Sequence, residues 1–178
     1  FLNELAEKEG KKPRVLYRIT PGVDIDTHKY ISTGQEDSKF GISVNQALRE
    51  GYIKRALEME HIEFYGLHFH IGSQLLDNKS HLMAVEVTLQ LMKDIREELG
   101  HVVKELNVGG GFGISYVEGE ERKPLSYFTD PIMEKVLDFC QKESFPQPLV
   151  TIEPGRWIVG EAGITIYQVG SVKTNGAG

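Results

Sequence analysis

A single cysteine, Cys140, stands among 178 residues, which excludes a disulfide framework and any metal site built on paired thiolates. It falls in "IMEKVLDFCQKE", where Ile132, Val136, Leu137 and Cys140 recur at helical spacing, so a buried structural thiol is expected. Positive charge is scarce too: 20 Lys and Arg against 26 Asp and Glu give a formal charge of -6. The lysines are scattered among carboxylates, so there is no clustered basic face to neutralise nucleic-acid phosphates. A small anionic or zwitterionic ligand remains within reach of local cations. No apolar run approaches the roughly 20 residues of a membrane span, and no signal peptide opens the chain. The expectation is a cytoplasmic protein that engages neither membrane nor nucleic acid. Internal repeats and low-complexity linkers are also missing, and the polar stretch "VEGEERKP" (117–124) reads as a solvated loop.

What the chain does hold is an alternation of two periods. "RVLYRI" (14–19), "YGLHFHI" (65–71), "KELNVG" (104–109) and "PLVTIEP" (148–154) are short, β-branched or aromatic, and bounded by Gly or Pro, as strands are. Between them lie helical stretches: "VNQALREGYIKRALE" (44–58), then "SHLMAVEVTLQLMKDIREELG" (80–100) with Ser80 as N-cap and Gly100 as stop. The third is "DPIMEKVLDFCQKE" (130–143), with Asp130 as cap and Pro131 at the first helical position. Strand alternating with helix means right-handed parallel βαβ units. The opening "FLNELAEKEGKK" reads as the last turns of an amphipathic helix, and "KTNGAG" follows directly on a new β-rich run. Both ends therefore look cut, and a length of 178 residues also suits a piece of a larger barrel enzyme.

The residues able to do chemistry fall at the carboxyl ends of the strands: His68, His70 and Ser73 after the second, Gly109, Gly110 and Gly111 after the third, Glu153, Gly155 and Arg156 after the fourth. That is where a (β/α)8 barrel builds its active site, with phosphate groups often bound after strands seven and eight. Each element also has a purely structural explanation. The three glycines could form a tight turn or an anion-binding nest of bare N–H groups. Their spacing is not a dinucleotide fingerprint, because Ile114 stands where a third glycine would be needed. Glu153 could simply pair with Arg156, or could face a cationic ring nitrogen while Arg156 faces an anion. Period-two alternation puts His68 and His70 on one strand face and Leu67, Phe69 and Ile71 on the other. A His-x-His pair at a strand end also serves metal-dependent hydrolase barrels, so metal ligation is the rival to a cofactor site.

Four motifs in order, "SKFGI" (38–42), "GLHFHIGSQ" (66–74), "NVGGGFGI" (107–114) and "EPGR" (153–156), resemble the alanine-racemase-like, fold-type III group of pyridoxal-phosphate enzymes. Within it, "PGVDIDTHKYISTGQEDSKFGIS" (21–43) is most similar to the diaminopimelate decarboxylase family. The resemblance implies the C-terminal half of a (β/α)8 TIM barrel over residues 1–162, about strands five to eight, and the start of a C-terminal β-domain over 163–178. It implies pyridoxal 5'-phosphate as cofactor, no metal, a small amino-acid substrate and a homodimer. The implied reaction is decarboxylation of meso-2,6-diaminopimelate to L-lysine. Alternatives are another basic amino-acid decarboxylase of the same group, a non-catalytic pyridoxal-phosphate-binding protein, or a metal-dependent hydrolase barrel.

The same resemblance distributes roles. His70 matches the histidine stacked on the pyridoxal ring, and Glu153 the carboxylate on the pyridine nitrogen; these are the catalytic candidates. Ser73, Gly110, Gly111, Gly155 and Arg156 match the phosphate-binding set, Arg156 also touching a substrate carboxylate, and His68 stands behind His70. The lysine to which such enzymes attach their cofactor has no counterpart among these residues and is expected upstream of Phe1. Cys140 lacks the context of the family's cross-dimer cysteine. The isolated stretch is therefore expected to be inactive.

Overall fold

A computed structural model describes residues 1–22, 39–117, 119–174 and 176. The stretch 23–38, which carries most of the segment most similar to the diaminopimelate decarboxylase family, lies outside the described residues.

Among the described residues, five parallel strands form one sheet: β1 (Arg14–Thr20), β2 (Ile42–Ser43), β3 (Glu63–His68), β4 (Glu105–Asn107) and β5 (Leu149–Thr151), in the order β2-β1-β3-β4-β5. All four expected strands are present. β2 is too short for periodicity to reveal it. From β1 onward β3, β4 and β5 advance in one direction across the sheet, the progression of a barrel wall. The helices are α1 (Leu2–Lys8), α2 (Val44–Leu48), α3 (Tyr52–Leu57), α4 (Lys79–Leu99), α5 (Leu125–Glu143) and α6 (Gly155–Val159), the last running into a 3-10 turn at Gly160–Ala162.

The core lies between the sheet and its helices. Leu67, Phe69, Leu106 and Val108 are fully buried and join Val85, Leu89, Met92 and Ile95 of α4 with Ile132 and Val136 of α5. Each such side chain contributes about 1.5–3 kcal/mol by leaving water. Cys140 is buried in this cluster, and burial pushes its thiol pKa up. Leu137, expected on the same stripe, is instead 46% exposed.

Three helix boundaries differ from the sequence-based expectation. The single helix expected over 44–58 is two, because Gly51 adopts a left-handed φ of 72° between α2 and α3. Helix α4 starts at Lys79 rather than behind a Ser80 cap, its first amide being taken by the Asp77 carboxylate at 2.9 Å. Helix α5 starts at Leu125, so Pro131 sits inside it and Asp130 is not its cap. The proline removes the donor that Tyr127 O would have used. The Asn78 carboxamide supplies a substitute, reaching Tyr127 O at 3.5 Å and Phe128 O at 3.0 Å, while fully buried Phe128 packs on Phe112 with centroids 5.2 Å apart. Tertiary contacts thus carry the helix past a residue that would ordinarily begin or break it. Gly100 closes α4 in the left-handed conformation, as expected. Residues 163–174 form no regular element, and Ile164, Ile166, Tyr167 and Val169 are between 80% and 89% exposed.

Candidate active site

Alternation along β3 does what the sequence predicts. Leu67, Phe69 and Ile71 are fully buried on one side, and His68 and His70 face the other. The ladder outlasts the strand, Phe69 N–H donating to Asn107 O at 3.0 Å, which holds His70 at the sheet's carboxyl edge. Glu153 is fixed there by its own N–H, donated to Gly109 O at 2.7 Å. Its Oε1 accepts from Asn107 Nδ2 at 3.1 Å and lies 3.5 Å from His68 Nε2. The side chain is 52% exposed, and Oε2 takes no hydrogen bond from the described residues. Asn107 also accepts the Gly109 N–H on its Oδ1 at 2.9 Å, so one side chain orients both the carboxylate and the start of the glycine loop. The sequence reading passed Asn107 over, although it pairs with His68 in the parallel register and so shares its face.

Burial lowers the pKa of both strand histidines. At His68 the Glu153 charge opposes that shift and the Arg18 charge adds to it; at His70 Arg18 is the larger of the two. Both rings are neutral at pH 7. His70 Nδ1 accepts the Gly110 N–H at 3.2 Å, so its proton resides on Nε2. Arg18, read from the sequence only as a strand residue, is the cation among the described residues whose charge reaches both rings.

The glycine run answers to close approach as much as to turn geometry. A Cβ on Gly109 would strike Phe69 O, on Gly110 Glu153 O, and on Gly111 Gly72 O. Three loops are thus pressed together where only hydrogen fits. They are also zipped. Leu75 N–H donates to Gly111 O at 2.8 Å and Gly113 N–H to Leu75 O at 2.9 Å. The Gln74 carboxamide, on a backbone with φ of 59°, engages both the N–H and the C=O of Ile114. Sequence alone offers no signal for that pairing.

His70, Gly110, Gly111 and Glu153 are in this way brought together. Ser73 is half-buried at the end of the first loop, and neither its hydroxyl nor the Gly111 N–H has a hydrogen-bond partner among the described residues. Gly155 and Arg156 are exposed at the start of α6, Gly155 N–H donating to Glu153 O at 2.9 Å. Arg156 makes no ion pair with Glu153 or any other described residue; its guanidinium lies 5.9 Å from the Tyr116 ring centroid. The structural explanation of "EPGR" as an internal salt bridge is therefore not realised. Among the described residues, no group of three or more His, Cys, Asp or Glu side chains is arranged to hold a metal ion.

The pattern described as "Pyridoxal-dependent decarboxylase, pyridoxal binding domain" matches residues 2–160. The chain belongs to this decarboxylase family. It is 43% identical over 173 residues to the diaminopimelate decarboxylase of Bacillus subtilis, an alignment covering 97% of the chain and 39% of that relative. It is 41% identical over 160 residues to the one from Staphylococcus aureus, covering 90% and 37%. Among solved structures, the Helicobacter pylori diaminopimelate decarboxylase complexed with L-lysine superposes with a TM-score of 0.73 at 34% identity, covering 88% of the chain and 37% of that structure. The M. jannaschii enzyme in co-complex with L-lysine gives 0.75 at 35%, covering 87% and 35%. The chain thus spans about 39% of the length of the B. subtilis relative. As part of a fold-type III decarboxylase barrel, its strand-end cluster fits pyridoxal phosphate. A neutral flat imidazole and, without hydrogen-bond or ion-pair partners among the described residues, one oxygen of a half-exposed carboxylate, a loop amide and a guanidinium are groups suited to that cofactor's ring, ring nitrogen and phosphate.

Proposed function

We propose that the protein bearing this chain decarboxylates meso-2,6-diaminopimelate to L-lysine. The observation that carries the reading is Glu153, whose carboxylate is oriented through Oε1 by Asn107 while Oε2 takes no hydrogen bond from the described residues, on the same sheet edge as the pinned, neutral His70. When bound, pyridoxal phosphate supplies a ring that accepts the electron pair left behind as carbon dioxide departs. Glu153 holds the proton on the ring nitrogen by charge. His70 would offer its flat imidazole to the face of that ring. Ser73, Gly111 and Arg156 would hold the phosphate, while Gly110 and Gly155, whose N–H groups are engaged by His70 and by the Glu153 carbonyl, would leave room by lacking side chains. Arg156 also reaches a substrate carboxylate, and His68 supports Glu153 from behind. Binding the substrate in one orientation relative to these groups lowers the entropic part of the barrier.

Residues 1–162 form part of the cofactor-binding barrel and 163–178 open a β-domain. The protein works as a cytoplasmic homodimer on a small amino acid. Two observations agree with a soluble setting: the acidic balance, and the lack, among the described residues, of a helix long and apolar enough to cross a membrane.

The test is Glu153→Gln in the full-length protein. Carbon dioxide release from diaminopimelate falls on the order of 10²-fold, the cost of removing a preorganised charge. Cofactor affinity changes by less than about tenfold, under 1.4 kcal/mol. Equal loss of both removes Glu153 from the ring nitrogen. A preference for lysine or ornithine over diaminopimelate would move the protein to another branch of the family.

A further inference from the structure

His81, in the first turn of α4, is fully buried and has no part in the roles assigned above. Its ring stacks on Phe112, with centroids 4.9 Å apart and 19° between planes, and meets the edge of Phe128 at 6.4 Å. An apolar ring would fill this space without the cost of burying two polar nitrogens. What the imidazole adds is one bond: Nε2 lies 3.0 Å from Gly110 O. A carbonyl only accepts, so Nε2 carries the proton, and the buried Nδ1 is left as a bare acceptor without a partner among the described residues. Burial lowers the ring's pKa to about 4, so the neutral form that this arrangement requires is the one present at pH 7.

Gly110 is thereby gripped from both sides. Its C=O accepts from His81, and its N–H donates to His70 Nδ1 at 3.2 Å. Glycine has two loose dihedrals, and these two bonds fix them. We propose that His81 is a positioning residue: by anchoring the Gly110 carbonyl it aims the Gly110 N–H at His70 Nδ1 and so favours the tautomer with the proton on Nε2. That this matters for cofactor binding rests on the reading of His70 given above; the effect on His70 itself does not.

The experiment uses the full-length, cofactor-free protein labelled with ¹⁵N-histidine, with long-range ¹H–¹⁵N correlations recorded near neutral pH. The wild type shows His70 as the Nε2–H tautomer. His81→Phe keeps the stack on Phe112 but removes the donor, and the share of His70 carrying its proton on Nδ1 rises. His81→Gln, whose terminal amide can replace Nε2–H, restores the single form. Pyridoxal-phosphate affinity falls about fivefold in His81→Phe and recovers in His81→Gln, the scale of one neutral hydrogen bond. The proposal is overturned if folded His81→Phe keeps the wild-type His70 signals, or if His81→Gln shows the same rise in the Nδ1–H form. It is overturned with no variant at all if wild-type His70 carries its proton on Nδ1. If the tautomer results hold while no form binds pyridoxal phosphate, the positioning role stands and the cofactor reading of the site fails.

Discussion

Replacing Gly111 with alanine tests whether the glycine loop is dictated by turn conformation or by the approach of neighbouring chain. Gly119 is the natural control. The two have nearly the same φ, +90° and +93°, but a Cβ on Gly119 meets nothing within 4 Å, whereas one on Gly111 runs into the Gly72 carbonyl and comes to 3.6 Å from Leu75 Cδ1. Both substitutions incur the left-handed penalty of about 1–2 kcal/mol. Only Gly111→Ala must also push the 72–75 segment away, straining the Leu75 N–H to Gly111 O and Gly113 N–H to Leu75 O bonds. At about 1 kcal/mol each, the excess over Gly119→Ala is about 2 kcal/mol. Urea unfolding of the full-length variants measures the difference. Hydrogen exchange localises it, the Leu75 and Gly113 amides exchanging roughly 30-fold faster in Gly111→Ala than in Gly119→Ala. Equal destabilisation by the two substitutions would refute the close-approach argument and leave turn geometry as the whole reason for the glycines.

Ser73→Ala and Arg156→Ala each weaken pyridoxal-phosphate binding by roughly 1–3 kcal/mol if they hold its phosphate; unchanged affinity in both, by fluorescence titration, would place the phosphate elsewhere. Stability should also fall with acid in a definite window. The folded His81 pKa, about 4, lies below the ordinary 6.5, so below pH 6.5 the unfolded chain takes up a proton that the folded one refuses. The contribution is present in full above pH 6.5 and is lost by about pH 4, amounting to roughly 3 kcal/mol. His68 and His70, also lowered by burial, add in the same direction. Urea midpoints against pH should therefore slope less steeply in His81→Phe than in the wild type, and parallel slopes would count against a buried neutral His81.

Much of this architecture was legible in the linear order of residues. The alternation of "LHFHI" placed Leu67, Phe69 and Ile71 in the core and His68 and His70 on the other face, because a strand's side-chain period depends on the backbone alone. The same logic put the glycines and Glu153 at strand ends. Helix boundaries were less legible. Pro131 and Ser80 are ordinary start signals, but the buried Phe128 and the Asn78 carboxamide, 50 residues away in sequence, extend α5 past the proline.

The sequence by itself determined the alternation of the four longer strands with helices, the strand faces that alternate, and that His68, His70, the glycines and Glu153 fall at strand ends. These follow from local periodicity and from the rule that successive parallel strands end on the same side. Only the tertiary structure decided how those residues are held. Asn107 orienting Glu153, Gln74 clasping Ile114 40 residues on, and His81 gripping Gly110 are hydrogen bonds between separate segments. Their partners are chosen by packing, and neither composition nor spacing carries that information. A buried polar group must find a partner wherever the fold brings one within 3 Å or so, and that condition exists only once the strands and helices have met.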